Sequence, residues 1–438
     1  MANLPKGNKK LLNAWAFYDW ANSVYSLVIA SAVFPIFYGT LTLVKDEQGN
    51  ILDDTVTFLG FDFNNDTLIS LVTGSAFLVV SFISPLLSGI ADYVGNKKIF
   101  MKFFCYLGAL SCIGLYWFSM DYLWFGLLCY FLALIGFWSS LVFYNSYLPD
   151  IAFHEQQDKI SAKGYSMGYI GSVILLLLCL AMILMYDTFG FEDKGTPTRL
   201  SFVLTGIWWI VFSQYTYYYL PKGKKEQKFT NHLLFNGFKE LKMIWDRLKH
   251  NLRLKRYLGA FFVYSMAVQT IMLVATYFGI EELDWGDADA TTGLIVSILL
   301  IQLVAVLGAF LTSLSSAKFG NIRTLKALNF IWIAICIYAY SITSPLQFYV
   351  TASAVGLVMG GIQSLSRSTY SKFLPEGAVD TTSYFSFYDV SEKLGIVIGM
   401  FSYGYVVQVT GSIRYAILFL ILFFVIGLIL LFRVPRNS

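Results

Sequence analysis

Charged side chains are scarce in this sequence. Asp, Glu, Lys and Arg make up 13% of its 438 residues, where a soluble domain carries about 25%. So little charge cannot clothe a water-facing surface, which excludes an ordinary soluble enzyme or binding module. Histidine is scarcer still: His154, His232 and His250 are the full set, and all three fall in expected loops or in a linker. A histidine proton relay or metal centre is therefore disfavoured. Cys105, Cys112, Cys129, Cys179 and Cys336 lie inside apolar runs without metal or redox spacing. They read as buried thiols that pack as small hydrophobes. No phosphate-binding loop or catalytic triad occurs, so ATP-driven transport and hydrolysis are disfavoured and no cofactor or metal is expected.

What the chain has instead is hydrocarbon. Apolar residues make up 57%, in runs of 20 or more, enough to cross the ~30 Å core of a bilayer. Runs such as Leu175-Leu176-Leu177-Leu178 and Ile417-Leu418-Phe419-Leu420 lack the period of two that a barrel requires. Twelve spans are expected, at 14–42, 67–91, 99–119, 122–147, 164–186, 200–220, 257–280, 290–316, 325–343, 346–372, 383–408 and 412–433. No cleavable signal peptide is expected, because a short basic start leads straight into the first span.

Placing both termini on the cytoplasmic side leaves only Lys45, Lys194, Arg199 and Arg414, of 31 basic residues, outside. The opposite loops are acidic, with Asp46, Glu47, Asp53, Asp54, Asp62 and Asp66 in the first, and Glu281, Glu282, Asp284, Asp287 and Asp289 between spans seven and eight. The net charge of +4 thus tracks the membrane and does not signal nucleic acid. Residues 221–256 form a long basic connection in which Leu234, Phe238, Leu241, Trp245, Leu248 and Leu252 recur at helical spacing. Such a helix either lies among lipid headgroups and tethers the halves or docks a partner. The expected units are 1–220, the linker 221–256, and 257–438.

The two halves echo each other. Ser88-Gly89-Ile90-Ala91-Asp92-Tyr93-Val94-Gly95-Asn96-Lys97-Lys98 has a counterpart about 225 residues later in Ser313 to Arg323, with Gly-Asn in register. Leu148-Pro149-Asp150 is echoed by Leu374-Pro375-Glu376. Duplicated halves are how many secondary transporters build a binding site at the bilayer midplane.

Several charges fall inside spans, where unpaired charge is expensive. Asp19 lies about 9 Å beyond Asn13, at 1.5 Å per residue. Arg367 ends the tenth span, and Asp389, Glu392 and Lys393 open the eleventh. These five are expected in one layer as a gate of ion pairs. Asp19 either pairs structurally or binds a coupling proton or a substrate amine. It is the one carboxylate well inside spans one, four, seven and ten, which makes it the proton-coupling candidate. Nearer the midplane lie Asn22, Tyr25, Tyr264, Gln269, Gln302 and Gln363, which either bond helix to helix or line a cavity.

Asp92, Gly95, Lys97 and Lys98 resemble the loop motif of the major facilitator superfamily, in which an aspartate near a helix end latches the outward-facing state. Ser88 stands where that motif has glycine and Tyr93 where it has a basic residue. In the second copy Ala317 replaces the aspartate, so a weaker latch or none is expected there. The bland alternative is a positive-inside loop with a helix-capping aspartate.

Four segments together resemble the unknown major facilitator family of bacteria, relatives of the fungal autophagy-related vacuolar amino-acid effluxers. They are Trp15 to Asn22, Phe143 to Asp150, Gly360 to Tyr370 and Tyr384 to Lys393. One departure is the seventh span, where the family often carries Asp-Gly and this chain reads Tyr264-Ser265-Met266-Ala267-Val268-Gln269-Thr270.

The resemblance implies an all-α membrane protein, with twelve transmembrane helices in two pseudo-symmetric six-helix bundles. It implies alternating-access transport of a small solute, with amino-acid efflux as the first reading. A proton-coupled sugar, peptide or drug carrier is the alternative, and a non-transporting membrane scaffold the remoter one. An enzyme is not expected. The expected gate is Asp92, Lys97, Lys98, Arg367, Asp389, Glu392 and Lys393, and the cavity candidates include Tyr144 and Asn145. The expected setting is a monomer in a bacterial inner membrane, with lipid, a small solute and a coupling proton as its partners.

Overall fold

The computed structural model describes residues 4–45, 51–222, 233–285, 290–375 and 377–435. Asp46, Glu47, His232, Asp287, Asp289 and Glu376 lie outside the described residues, as does the 223–232 part of the linker. The helices, in chain order, are α1 (Lys9–Val24), α2 (Phe34–Thr42), α3 (Asn65–Val94), α4 (Lys97–Gly114), α5 (Leu123–Asn145), α6 (Leu148–Ile151), α7 (Gln157–Leu184) and α8 (Gly195–Tyr219). Then come α9 (Leu233–His250), α10 (Leu252–Glu281), α11 (Ala290–Phe319), α12 (Asn321–Tyr340), α13 (Pro345–Lys372), α14 (Thr381–Thr410) and α15 (Ile413–Phe432).

Eleven helical segments among the described residues are long and apolar enough to cross a membrane. The segment expected as the sixth span is α8, and it is not among them. Its 25 residues are long enough, but Thr198, Arg199, Ser201, Thr205, Ser213, Gln214 and Thr216 dilute its apolar character. Several of these hydroxyls satisfy themselves on backbone carbonyls. Thr205 bonds Ser201 O at 2.8 Å, and Thr216 reaches Ala14 O of α1 at 2.7 Å. A helix whose hydroxyls are met by its own carbonyls or a neighbour's can carry them within a bundle.

Helix starts fall where the chain supplies caps. The Asn8 side chain accepts from Lys10 N at 2.9 Å, and Ser344 with Gln347 forms a reciprocal capping box at Pro345, the short turn expected between spans nine and ten. Several helices begin earlier than hydropathy suggests. The clearest case is α7, which starts at Gln157 rather than 164 because its polar first turns pack against protein instead of lipid.

The duplication is visible in the elements. Adding 225 to the bounds of α3 gives those of α11. The close packings follow suit, since α3 lies against α14 and α11 lies against α7. Buried apolar side chains form one group from Leu11 to Leu220 and a second from Ile244 to Val434, which Val142 and Tyr169 join.

Three features were not anticipated from the sequence. Between α1 and α2, Tyr25–Val33 is π-helical, with Phe34 N bonding Ile29 O and Ser31 Oγ bonding Ser26 O at 2.9 Å, both five residues back. Pro35 follows directly and has no N–H to restore the α pattern. The segment between α2 and α3 holds two antiparallel strand pairs, β1 (Val44–Lys45) with β2 (Ile51–Asp53) and β3 (Thr55–Phe58) with β4 (Phe61–Asn64). The second turns through Leu59-Gly60, both at positive φ (53° and 83°), the backbone of a two-residue hairpin. In the linker helix α9, Ile244 and Leu248 are buried while Phe238 is 64% and Trp245 46% exposed. The seated edge is therefore rotated from the expected stripe. The helix packs on α3, α10 and α14, and Leu252 belongs to α10.

Candidate functional site

The two halves meet through charge at the end of the bundle that carries the basic loops. Arg367 on α13 reaches Asp19 on α1, Nη2 to Oδ2 at 3.2 Å, with both side chains buried. The Tyr144 hydroxyl on α5 donates to the same oxygen at 2.8 Å. The guanidinium then spends its other N–H groups on Ser161 Oγ at 2.9 Å, Ser161 O at 3.0 Å and Asn145 Oδ1 at 3.2 Å. Rings of Trp15, Tyr144 and Tyr165 surround it, Tyr165 nearest at 4.2 Å from the centroid. A buried pair survives only when its remaining donors and acceptors are met. Here one cation from the second half is enclosed by three helices of the first, α1, α5 and α7.

Gly164 makes room for it. A Cβ there would press on the Asp19 carboxylate and lie 3.1 Å from Arg367 Nη2 and 3.2 Å from Tyr144 Oη.

The facing ends of α3 and α4 grip the start of α14. Asp92 accepts from Ser383 N at 2.6 Å and Thr382 N at 3.3 Å, so a carboxylate of one half caps a helix N-terminus of the other, where a negative charge is favoured. Lys97 bridges the same seam, donating to Asp150 Oδ2 at 2.6 Å, Ser146 O at 2.8 Å and Thr381 Oγ1 at 2.9 Å. Lys98 does not join it. Its ammonium faces into its own half and bonds Leu220 O at 2.7 Å.

The second copy of this loop is not an empty version of the first. Sequence reasoning expected a weak latch or none because Ala317 replaces the aspartate. The structure instead places a carboxylate on the opposite partner: Asp158, at the start of α7, accepts from Lys372 Nζ at 2.6 Å, Asn321 Nδ2 at 2.9 Å and Ser316 Oγ at 3.1 Å. At the 225-residue offset Asp158 corresponds to Ser383, and Asn321 to Asn96. The acid has crossed the seam and the donors now sit on the loop side. That offset was the signal that could have found Asp158, which sequence analysis missed.

The remaining charges of the expected gate lie apart from the Asp19–Arg367 pair. On α14, Lys393 Nζ lies 2.7 Å from Asp389 Oδ1 and 2.9 Å from Glu392 Oε2, while Gln269 on α10 donates to Glu392 Oε1 at 2.8 Å. Lys393 reaches the other half, 3.7 Å from the centroid of Trp138 on α5. The five-residue layer is thus two separate groups.

The neutral candidates also divide. Gln363 accepts from Tyr169 Oη at 2.8 Å across the halves, and Tyr264 meets Ser366 Oγ at 2.6 Å. Tyr25 faces away from the seam, packed between Phe137 and Trp209 in the core of the first half. Asn22 is buried, and its Oδ1 takes the Ser23 hydroxyl at 3.4 Å. Gln302 is half-buried on α11.

Outside the spans, α9 touches the same seam. Arg247 pairs with Asp380, the residue that precedes α14, at 3.0 Å, and Trp245 lies over Phe387 at 5.5 Å. Burial and the neighbouring Asp380 carboxylate push the Glu240 carboxyl up to about 7.

Comparison with known proteins fits this geometry. The family model described as "Vacuole effluxer Atg22 like" matches residues 7–438. The chain belongs to that family. This Atg22-like chain is similar to the uncharacterized MFS-type transporter YxiO of Bacillus subtilis (strain 168), 31% identical over 97% of this chain and 95% of the relative. It is also similar to autophagy-related protein 22 of Coccidioides immitis (strain RS), 24% identical over 95% and 85%. Among solved structures it resembles FucP, a major facilitator superfamily transporter in the outward conformation, with a TM-score of 0.67 at 15% identity over 98% of this chain and 99% of that one. The Atg22-like chain therefore has the major facilitator fold.

Proposed function

We propose that this protein is a secondary transporter that moves a small solute, with amino acids the first candidates, by alternating access between two six-helix bundles of twelve spans in all. In this reading α8 is the sixth span, α9 is the connecting helix, and the units are 1–220, 221–256 and 257–438. Both termini face the cytoplasm, the protein is a monomer in a bacterial inner membrane, and the seam described above is the closed cytoplasmic gate.

The observation that carries this reading is the concentration of cross-half polar contacts at one end of the bundle. Asp92 with the α14 start, Lys97 with Thr381, Lys372 with Asp158 and Arg367 with Asp19 all lie there. A scaffold has no use for buried pairs between two halves that are equivalent by duplication. A carrier has: they must form when one side closes and part when it opens, so their net worth has to be modest. Buried ion pairs meet that requirement because desolvation offsets most of their attraction.

The name of the vacuolar family supports efflux, and the half-buried Trp138, Tyr165, Gln269, Gln363 and Glu392 supply a polar lining suited to a zwitterion. Counterflow in proteoliposomes, screened across amino acids, sugars, dipeptides and cationic drugs, tests the reading. Exchange of an amino acid upholds it, and exchange of sugar or drug alone transfers the protein to the alternative class of proton-coupled carrier. Absence of exchange for all of them would remove transport as its function.

A further inference from the structure

The charge group on α14 has more acid than base. Asp389, Glu392 and Lys393 sum to one negative charge, and the group is enclosed between α14, α10 and α5. Asp389 is only 5% exposed, yet its Oδ2 has no hydrogen-bond partner among the described residues. Oδ1 is engaged by Lys393. A buried carboxylate oxygen left unmet is costly, and the same low dielectric makes it a strong attractor of one further cation. The surroundings already hold an ammonium: Lys393 Nζ sits on two carboxylates and over the face of Trp138, the pairing that suits an amine. Glu392 stays 18% exposed, so the group is not sealed.

We propose that Asp389, Glu392, Gln269 and Trp138 form a site for one monovalent cation, in which the ammonium group of a substrate and a proton compete. The inference deepens the transporter reading and rests on it. With the site empty the group carries its surplus negative charge. One ammonium or one proton cancels that charge, and only the cancelled form passes through a closed, dehydrated state at low cost. Two cations competing for a single deficit give exchange of amine for proton at this site.

Other titratable groups leave this deficit intact. On α14 the neighbours are Glu392, Lys393 and Tyr388, while α10 and α7 bring Tyr264 and Tyr165 near Glu392. The α3 carboxylate Asp92 meets α14 at Thr382 and Ser383, about two turns away at 3.6 residues per turn. Arg247 and Glu240 of α9 meet it at Asp380, before the helix begins. On α15, Arg414 is engaged by Glu282 at the far end.

The test is binding to the purified full chain in lipid nanodiscs, with three isosteric probes: leucine, isoamylammonium (ammonium without carboxylate) and 4-methylpentanoate (carboxylate without ammonium). Leucine and isoamylammonium should bind and 4-methylpentanoate should not. Amine affinity should fall as pH is lowered from about 8 to about 6, by up to about tenfold per unit where one proton replaces one amine. Asp389→Asn should weaken amine binding by at least about tenfold and flatten the pH dependence. Glu392→Gln should do the same, and it serves if the first variant does not fold.

Equal binding of 4-methylpentanoate and isoamylammonium would overturn the proposal. So would pH-dependent amine binding retained in a folded Asp389→Asn or Glu392→Gln protein. If no amine binds while counterflow shows exchange of a sugar, the cation site falls and the transporter reading stands. If counterflow shows no exchange of any solute class, both fall.

Discussion

Asp158 on α7 takes the ammonium of Lys372 on α13 at 2.6 Å, at the position where the duplicated partner helix α14 offers Ser383 to Asp92. Both seams therefore hold one carboxylate between a helix end and a helix start, but it belongs to the helix end in one (Asp92) and to the helix start in the other (Asp158). A duplicated interface needs the charge, and either partner can supply it.

This arrangement predicts that Asp158→Asn and Asp92→Asn each favour opening of the basic face. Losing one charged acceptor costs about 2 kcal/mol, close to a thirtyfold change in the closed-to-open ratio. Solvent labelling of a cysteine placed at Ser161 measures it, and the two effects should add because the sites share no partner. An Asp158→Asn protein with unchanged labelling would show that the second seam does not hold the closed state.

Asp19→Asn should abolish uphill transport while leaving exchange measurable, if Asp19 couples a proton as well as pairing. The variant leaves the Arg367 guanidinium short of its counter-ion, which costs about 3–5 kcal/mol, so a lower melting temperature is expected too. The double variant Asp19→Asn/Arg367→Gln should recover most of that stability. Recovery of wild-type uphill transport in the double variant would reduce both residues to a structural pair.

Gly164→Ala is expected to damage the same pair without touching a charge. The added methyl would press on Asp19 and crowd Arg367 and Tyr144, and overpacking of this kind costs about 1–3 kcal/mol. A thermal melt should show the loss, and Gly259→Ala, with open space around it, should show little.

Docking of α9 should weaken as pH rises. Glu240 stands at about 7 against an ordinary 4.5, so its neutral form is favoured in the docked helix. The contribution is full below about 4.5 and is lost as pH passes through about 7. Spin labels at Met243 on α9 and Tyr93 on α3 should report a broader distance distribution at alkaline pH, and Glu240→Gln should remove the dependence. A wild-type distribution that narrows with rising pH would reverse the assignment.

The sequence made the membrane class, the duplication and the buried charges legible because each is a property of type and spacing. It did not show which way a side chain turns about its helix. Tyr25 and Lys98 are expected at the cavity and the gate, and both face the core of the first half. Asp389 and Arg367, expected in one layer, belong to separate ion pairs. Direction about a helix axis is set by neighbours distant in sequence, and nothing local encodes it. The π-helical stretch and the second hairpin did have local signals, in Pro35 and in Leu59-Gly60. Asp158 had one in the 225-residue offset.

The most direct test of alternating access is a lock on the seam. The hydroxyls of Ser146 and Thr382 lie 3.4 Å apart across the two halves, so cysteines at both positions bring their thiols close enough to bridge. In a background without the five native cysteines, oxidation of this pair should stop counterflow of whichever solute the screen identifies, and reduction should restore it. Counterflow that continues at full rate with the pair oxidised would contradict the account, because the halves would then be moving solute without parting here.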